Sequence, residues 1–323
     1  MRRISEHTTN LDSSVYYTGR YWNDLPQVRD YLQRRATGTV GTRWFEHLRG
    51  HTGRERFERA LVLNCGNGWV ERELAQRGVV AEAVGIDIAP DLLAQADAQA
   101  RAEALPLRYV ECDANGADFP EGPYDLVVNY SAAHHVAYLN RVFRRICELL
   151  PADGVFVSWD YVGPHRNQYP SETWRAAHAL NDRLPERFRA DMGYPHLPTM
   201  LATDPTEAIH SELIVEVLHR YFRVDWFAPL GGALAYPLLC FNDGIHDAPP
   251  AERDPWIERV VAADDAYTEA HPETTLFAFA IARPDKSALD DAGALARWSD
   301  EEERREAAAA RNGGLYAGTA GAG

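Results

Sequence analysis

Leu61-Val62-Leu63-Asn64-Cys65-Gly66-Asn67-Gly68-Trp69-Val70-Glu71 is a short apolar run that breaks into a glycine turn and passes at once into a helical pattern over Trp69 to Arg77. A strand, a turn and a helix N-terminus in that order let backbone approach a ligand closely and leave N–H groups facing it. The stretch therefore predicts one βα step of a nucleotide-type site. A glycine pair between strand and helix also occurs for packing alone, so the reading depends on the motifs further along the chain.

A second apolar run, Ala83 to Ile88, ends in Gly85-Ile86-Asp87-Ile88 before a helix opening at Pro90-Asp91. An acid at the tip of the second strand of a βαβ unit is placed to accept hydrogen bonds from ribose hydroxyls, which makes Asp87 the ribose candidate. A third strand, Leu107 to Glu111, delivers Cys112-Asp113-Ala114. Asp113 either receives an adenine amino group or only caps a turn. A fourth strand, Tyr124 to Asn129, runs into Tyr130-Ser131-Ala132-Ala133-His134-His135; a helix from Leu139 to Leu150 and a turn at Pro151-Ala152-Asp153-Gly154 lead to a fifth strand, Val155 to Asp160.

Taken together, these five motifs resemble the Rossmann-like (class I) S-adenosylmethionine-dependent methyltransferases of the small-molecule branch, over about residues 55 to 165. The resemblance implies an α/β fold: a seven-stranded Rossmann-like sheet flanked by helices, the seventh strand antiparallel, with an N-terminal helical lid and a helical cap inserted after the fifth strand. It implies S-adenosylmethionine as cofactor, held by Asn64, Cys65, Gly66, Gly68, Trp69, Asp87, Ile88, Asp113, Ala114, Asn129 and Tyr130. Two positions depart from the family pattern. Val62 stands where an acid usually helps to hold the methionine amino group, and Asn64 stands where the first loop glycine would be. Bulky Glu71 occupies the place of the third glycine of a dinucleotide fingerprint, which argues against a pyrophosphate ligand and NAD.

Composition limits the partners. Forty-eight acidic against 33 basic residues give a formal charge of −15, so the chain lacks the basic footprint that nucleic acid requires. Cys65, Cys112, Cys147 and Cys240 have no metal-ligand spacing and read as reduced thiols; no metal is expected, and the compartment expected is the cytoplasm. Met1 to Asn10 is polar and no stretch of eighteen apolar residues occurs, so no membrane partner is expected. The expected partner is a small-molecule substrate, with homodimerisation left open.

The expected organisation is a helical lid over 1–57, a cofactor-binding core over 58–165, a helical cap over 166–221, the last two strands with a helical insertion over 222–286, and a mobile Gly/Ala-rich tail over 287–323. In the N-terminal segment the aromatics Tyr16, Tyr17, Tyr21 and Trp22 and helical spacing from Leu25 to Leu32 read either as core packing or as a lid over the cofactor. An aromatic lid would exclude water and attract a sulfonium. Arg34 and Arg35 are candidates to pair with a ligand carboxylate or are solvated. Beyond the fifth strand, Asp160, Tyr161, His165 and Gln168 are read as the substrate-facing side, succeeded by helices from Ser171 to Ala190 and from Asp204 or Thr206 to Arg220. His134, His135, Asp160 and Tyr161 are the catalytic candidates, the histidines as base or substrate orienter, or alternatively as structural contacts.

The expected reaction is methyl transfer to an O or N atom of a small molecule in natural-product or sugar-related biosynthesis. The alternative is a non-methylating use of the same fold, either intramolecular cyclisation of the cofactor to a cyclic amino acid or an assisted cyclisation.

Overall fold

Along each central strand, successive side chains go to opposite faces, and here both faces are covered. In the computed structural model, which describes residues 20–291, 293, 294, 296–298 and 304, Val62, Val128 and Val157 enter one core while Leu61, Val127 and Phe156 enter the other. This explains why the strands read as continuous apolar runs. The strands are β1 (Phe57–Leu63), β2 (Val80–Asp87), β3 (Leu107–Glu111), β4 (Leu126–Tyr130), β5 (Val155–Tyr161), β6 (Phe222–Gly231) and β7 (Phe277–Pro284). They form one sheet in the order β3-β2-β1-β4-β5-β7-β6. β1 to β5 are parallel, and β7 lies antiparallel between β5 and β6. The strand order reverses between β1 and β4, so the carboxyl ends of those two strands open the crevice where such sheets bind ligands.

One face carries the helices Pro26–Thr37, Trp44–Thr52 and Pro250–Ala270; the other carries Leu139–Leu149 and Ile214–Tyr221. Asp264, fully buried on the long helix, accepts hydrogen bonds from the Tyr31 hydroxyl at 2.7 Å and from the backbone N–H groups of Gly232 and Leu234, each at 2.7 Å. That carboxylate joins the N-terminal helix to the end of β6. Among the described residues no helix is long and apolar enough to cross a membrane.

Three stretches differ from their sequence expectation. The helix expected over Ser171 to Ala190 ends at Asn181, because Pro185 lacks the N–H to continue it and the Asn181 amide instead exchanges two hydrogen bonds with the Ala190 backbone, both 2.9 Å. The helix expected from Asp204 or Thr206 begins at Ile214. Asp204 Oδ1 accepts from the Thr206 N–H at 2.8 Å, and this local turn competes with helix. At the far end, Ala288 and Leu289 pack against the second core and Arg220 lies 3.5 Å over the Trp298 ring, so ordered packing continues past Ser287. Within the 287–323 tail, residues 292, 295, 299–303 and 305–323 lie outside the described residues, as do Tyr16 and Tyr17.

Gly68 opens the helix after the loop with φ +76°, and an added Cβ would stand 2.5 Å from Tyr109 Oη and 2.8 Å from Ala96 Cβ. Gly38, at the end of the Pro26–Thr37 helix, has φ +82° but nothing within 4 Å of an added Cβ. We predict that Gly38→Ala costs about 1 kcal/mol from the left-handed backbone alone, whereas Gly68→Ala costs about 2–4 kcal/mol from backbone and overpacking together. Urea denaturation of the two variants checks this; equal losses would contradict the packing argument.

Candidate active site

At the carboxyl edge of β1, β2 and β4 lies a cavity of about 750 Å³. Its floor is the loop that ends β1. Asn64 holds φ +41° there, a left-handed conformation that asparagine tolerates better than most residues, so it takes the backbone role of the missing glycine. Its side-chain amide donates to the Ala132 carbonyl at 3.2 Å, tying the loop to the end of β4. Asp87 closes the next side. Its carboxylate accepts the Gly66 N–H at 2.8 Å and the Ala89 N–H at 2.9 Å, and burial pushes its pKa upward. Ile88 is next to it in the lining. Asp113 accepts the Asn115 N–H at 2.9 Å, so it caps the Ala114–Gly116 turn and lines the cavity as well.

The aromatic side is built from three parts of the chain. Tyr130, at the tip of β4, stacks on Trp159 at 5.8 Å and meets Trp69 edge-on at 5.1 Å. Trp22 is buried against Phe277 at 5.2 Å and Tyr236 at 5.8 Å. Tyr21 to Asp24 line the cavity, while the helix C-terminal to them is core: Val28, Tyr31, Leu32 and Ala36 are buried. Residues 21–37 thus divide into a turn at the cavity and a packed helix.

The deep end rests on Asp160, which is wholly buried. Its Oδ2 accepts from Asn129 Nδ2 at 2.8 Å and the Ala133 N–H at 2.7 Å; its Oδ1 accepts from the Tyr161 N–H at 2.8 Å and pairs with His134 Nδ1 at 2.6 Å. Burial alone would raise this carboxyl, but the His134 charge and the donated hydrogen bonds outweigh it and hold the pKa below the usual range. Burial likewise works against His134 carrying charge, yet Asp160 raises it to about 9. His135 goes the other way, lowered by burial and then by His134. Its Nδ1 lies 3.0 Å from Thr206 Oγ1, and Glu207 Oε2 lies 3.8 Å from Nε2 of both rings.

Of the residues singled out in the sequence, Asn64, Cys65, Gly66, Trp69, Asp87, Ile88, Asp113, Ala114, Tyr130, His134, His135, Tyr161, Tyr21 and Trp22 come together around the cavity. Gly68, Asn129 and Asp160 stand behind its walls as supports. Four others are placed elsewhere. Arg34 and Arg35 pair with Asp265 at 2.9 and 2.8 Å on the long helix, not with a ligand. His165 stacks on His210 at 5.9 Å, and Gln168 donates to the Arg166 and Pro195 carbonyls at 3.0 and 3.2 Å. The chain reverses at Arg166, φ +53°, and docks on the Ala208 carbonyl at 2.7 Å. This turn carries the 165–168 stretch away and presses Asp204, Thr206 and Glu207 into the wall in its place.

Six carboxylates line the cavity, those of Asp24, Asp87, Asp91, Asp113, Asp204 and Glu207, and among the described residues no arginine or lysine does. Such a lining suits a cationic ligand and has nothing to neutralise a pyrophosphate. Comparison with known proteins agrees. A methyltransferase domain model matches residues 61–158. An uncharacterised methyltransferase of Mycobacterium bovis is 32% identical over 175 residues, which is 53% of this chain and 87% of that protein. The chain belongs to the S-adenosylmethionine-dependent methyltransferases. A demethylmenaquinone methyltransferase of Thermus thermophilus is 28% identical over 148 residues, 46% of this chain and 67% of the relative. The chain spans only 41% of an uncharacterised Bacillus subtilis methyltransferase that it matches at 27% identity. Among solved structures, a geranyl diphosphate methyltransferase in complex with its cofactor has a TM-score of 0.47 at 15% identity, covering 75% of this chain and 84% of that one.

For this methyltransferase the donor set fits the family's cofactor: carboxylates at the β2 and β3 tips to accept hydroxyl and amino groups, aromatic faces beside them, and a loop free of bulky side chains. Val62, also in the lining, supplies no carboxylate for an ammonium group.

Beneath the loop, Glu71 is fully buried, and neither carboxyl oxygen has a hydrogen-bond partner among the described residues. It crowds Gly85 together with Cys65; a Cβ there would stand 2.6 Å from Glu71 Oε1 and 2.8 Å from Cys65 Sγ. Burial pushes the Glu71 carboxyl from 4.5 up to about 7. Because the folded value is the higher one, the folded protein loses stability relative to the unfolded chain as pH rises from about 4.5 through 7. The loss amounts to about 3 kcal/mol once the group is ionised. Glu71→Gln should therefore be more stable than the natural chain at pH 8 but not at pH 4.5, a difference urea unfolding at the two pH values reads directly. Parallel behaviour at both would mean that Glu71 is not buried as described.

Proposed function

We propose that this chain transfers the methyl group of S-adenosylmethionine to an O or N atom of a small molecule. The observation that carries the reading is the cavity at the carboxyl edge of β1, β2 and β4, lined by six carboxylates and, among the described residues, by no arginine or lysine. S-adenosylmethionine supplies a methyl group on a cationic sulfonium. Asp87 would accept its ribose hydroxyls, Asp113 its adenine amino group, and Gly66 would leave the backbone open for close approach. Tyr21, Trp22, Trp69 and Tyr130 would exclude water and turn π faces toward a cation. The acceptor would lie against His134, His135, Tyr161 and Glu207, where methyl transfer gains chiefly from alignment. The same negative lining disfavours polyanionic acceptors. It favours neutral hydroxyl or amine compounds, in keeping with a role in natural-product or sugar-related biosynthesis.

Val62 and Asn64 keep the alternative open, because a changed hold on the amino-acid end would allow that end to fold back for self-cyclisation. The products separate the two readings. Methyl transfer leaves S-adenosylhomocysteine, cyclisation of the cofactor itself leaves methylthioadenosine, and an assisted cyclisation leaves the cofactor unchanged.

The expected result in calorimetry is that the protein binds S-adenosylhomocysteine and not NAD. Asp87→Ala, by losing two hydrogen bonds of about 1 kcal/mol or more each, weakens that binding roughly tenfold or more. His135→Ala should leave the same dissociation constant within about twofold and lower turnover of a methylated acceptor. Binding of NAD in place of the S-adenosyl compound, or an unchanged constant for Asp87→Ala, would remove the basis of this reading.

A further inference from the structure

We infer that His134, His135 and Glu207 form a binding site for a divalent transition-metal ion at the acceptor end of the cavity, with coordination positions left over for a small-molecule ligand. One ligand atom from each residue lies within 4.8 Å of the others, and Glu207 Oε2 is 3.8 Å from Nε2 of either ring. Neither separation is a hydrogen bond. Ligand atoms held about 2.1 Å from one metal stand about 3–3.5 Å apart, so a small rotation of Glu207 brings the three into register.

The ring tautomers are set for this. Asp160, whose oxygens already accept from Asn129, Ala133 and Tyr161, holds His134 Nδ1 at 2.6 Å and keeps a proton there, so a metal binding this ring displaces the Nε2 proton and takes that nitrogen's lone pair. On His135 the Nδ1 atom is 3.0 Å from Thr206 Oγ1, and the Thr206 hydroxyl donates its proton to Asp204 Oδ1 at 2.7 Å. The Thr206 oxygen must therefore accept the His135 Nδ1–H, so His135 also offers Nε2. Each imidazole thus points its coordinating nitrogen at the same carboxylate while its other nitrogen is anchored to a carboxylate or to a hydroxyl bonded to one, the arrangement that supports metal-binding histidines elsewhere. Two imidazoles and a carboxylate suit zinc, iron(II), cobalt or manganese and leave sites open. With Asp160 and Asp204 behind them and no arginine or lysine among the described lining residues, a dication would also balance the local negative charge.

The ion's use, holding the acceptor's oxygen or nitrogen, rests on the methyl-transfer reading. Its binding does not, and the test separates the two. The full chain is stripped with EDTA and titrated with Co²⁺ while d–d absorption is recorded, and S-adenosylhomocysteine binding is measured on the same metal-free protein. The expected result is one equivalent of Co²⁺ with visible bands, weakened at least about tenfold in both His135→Ala and Glu207→Gln and unaffected in His165→Ala, a histidine outside the cavity. Circular dichroism and S-adenosylhomocysteine affinity identify any variant that is merely misfolded. Absence of stoichiometric binding, or binding that survives both substitutions in folded protein, overturns the metal site whatever the nucleoside result. Loss of nucleoside binding alone overturns the methyltransferase reading and leaves the metal site standing.

Discussion

A carboxylate taken wholly out of water costs several kcal/mol unless its charge is matched and its lone pairs are filled, and at Asp160 both conditions are met by residues from three directions. Asn129 reaches across from β4, the Ala133 N–H comes from the turn beyond β4, and His134 brings a positive charge to 2.6 Å. The Asp160 carboxylate therefore fixes how the chain leaves β4 and which nitrogen of His134 faces the cavity. The turn in turn supplies the Ala132 carbonyl that anchors Asn64. Loop, histidine pair and strand tips are positioned by one charge, and removing that charge would leave the His134 imidazolium buried without its partner.

The second constraint is electrostatic at longer range. Asp87 and Asp113 come from the tips of β2 and β3, Asp204 and Glu207 from a segment more than ninety residues further along the chain. Their fields add within a cavity whose other surfaces are aromatic, and this sum, not any one hydrogen bond, selects a cation over a phosphate. It also accounts for the tolerance of Val62. The cavity as a whole is negative, so the missing carboxylate changes the local grip on an ammonium group without changing the sign of the field.

The sheet was readable because its signals are local. β3 occupies Leu107–Glu111 as read from the sequence, and the loop after β1, the acid at β2 and the turn before β5 sit where their spacing places them. The far wall was not readable. Glu207 meets the histidines across more than seventy residues of chain, and the only local sign was Asp204-Pro205-Thr206, a turn that also resembles a helix start. The polar stretch at 165–168 carried the right chemistry but lost its place to a chain reversal at Arg166, which sequence pattern does not reveal. Arg34 and Arg35 were drawn to Asp265 and Glu269 by helix packing, a contact set by tertiary structure alone. Glu71 is the converse: recognised as too bulky for a dinucleotide loop, it proves to be a wholly buried acid whose carboxyl oxygens accept no hydrogen bond from the described residues.

The most direct test of the account is a crystal structure of the protein with S-adenosylhomocysteine. The predicted outcome is the ribose on Asp87, the adenine beside Asp113 and Ala114, and the sulfur directed toward the part of the cavity bounded by His134, His135 and Tyr161. A nucleoside bound outside the β1–β4 crevice, or one whose sulfur points away from the histidine pair, would contradict it.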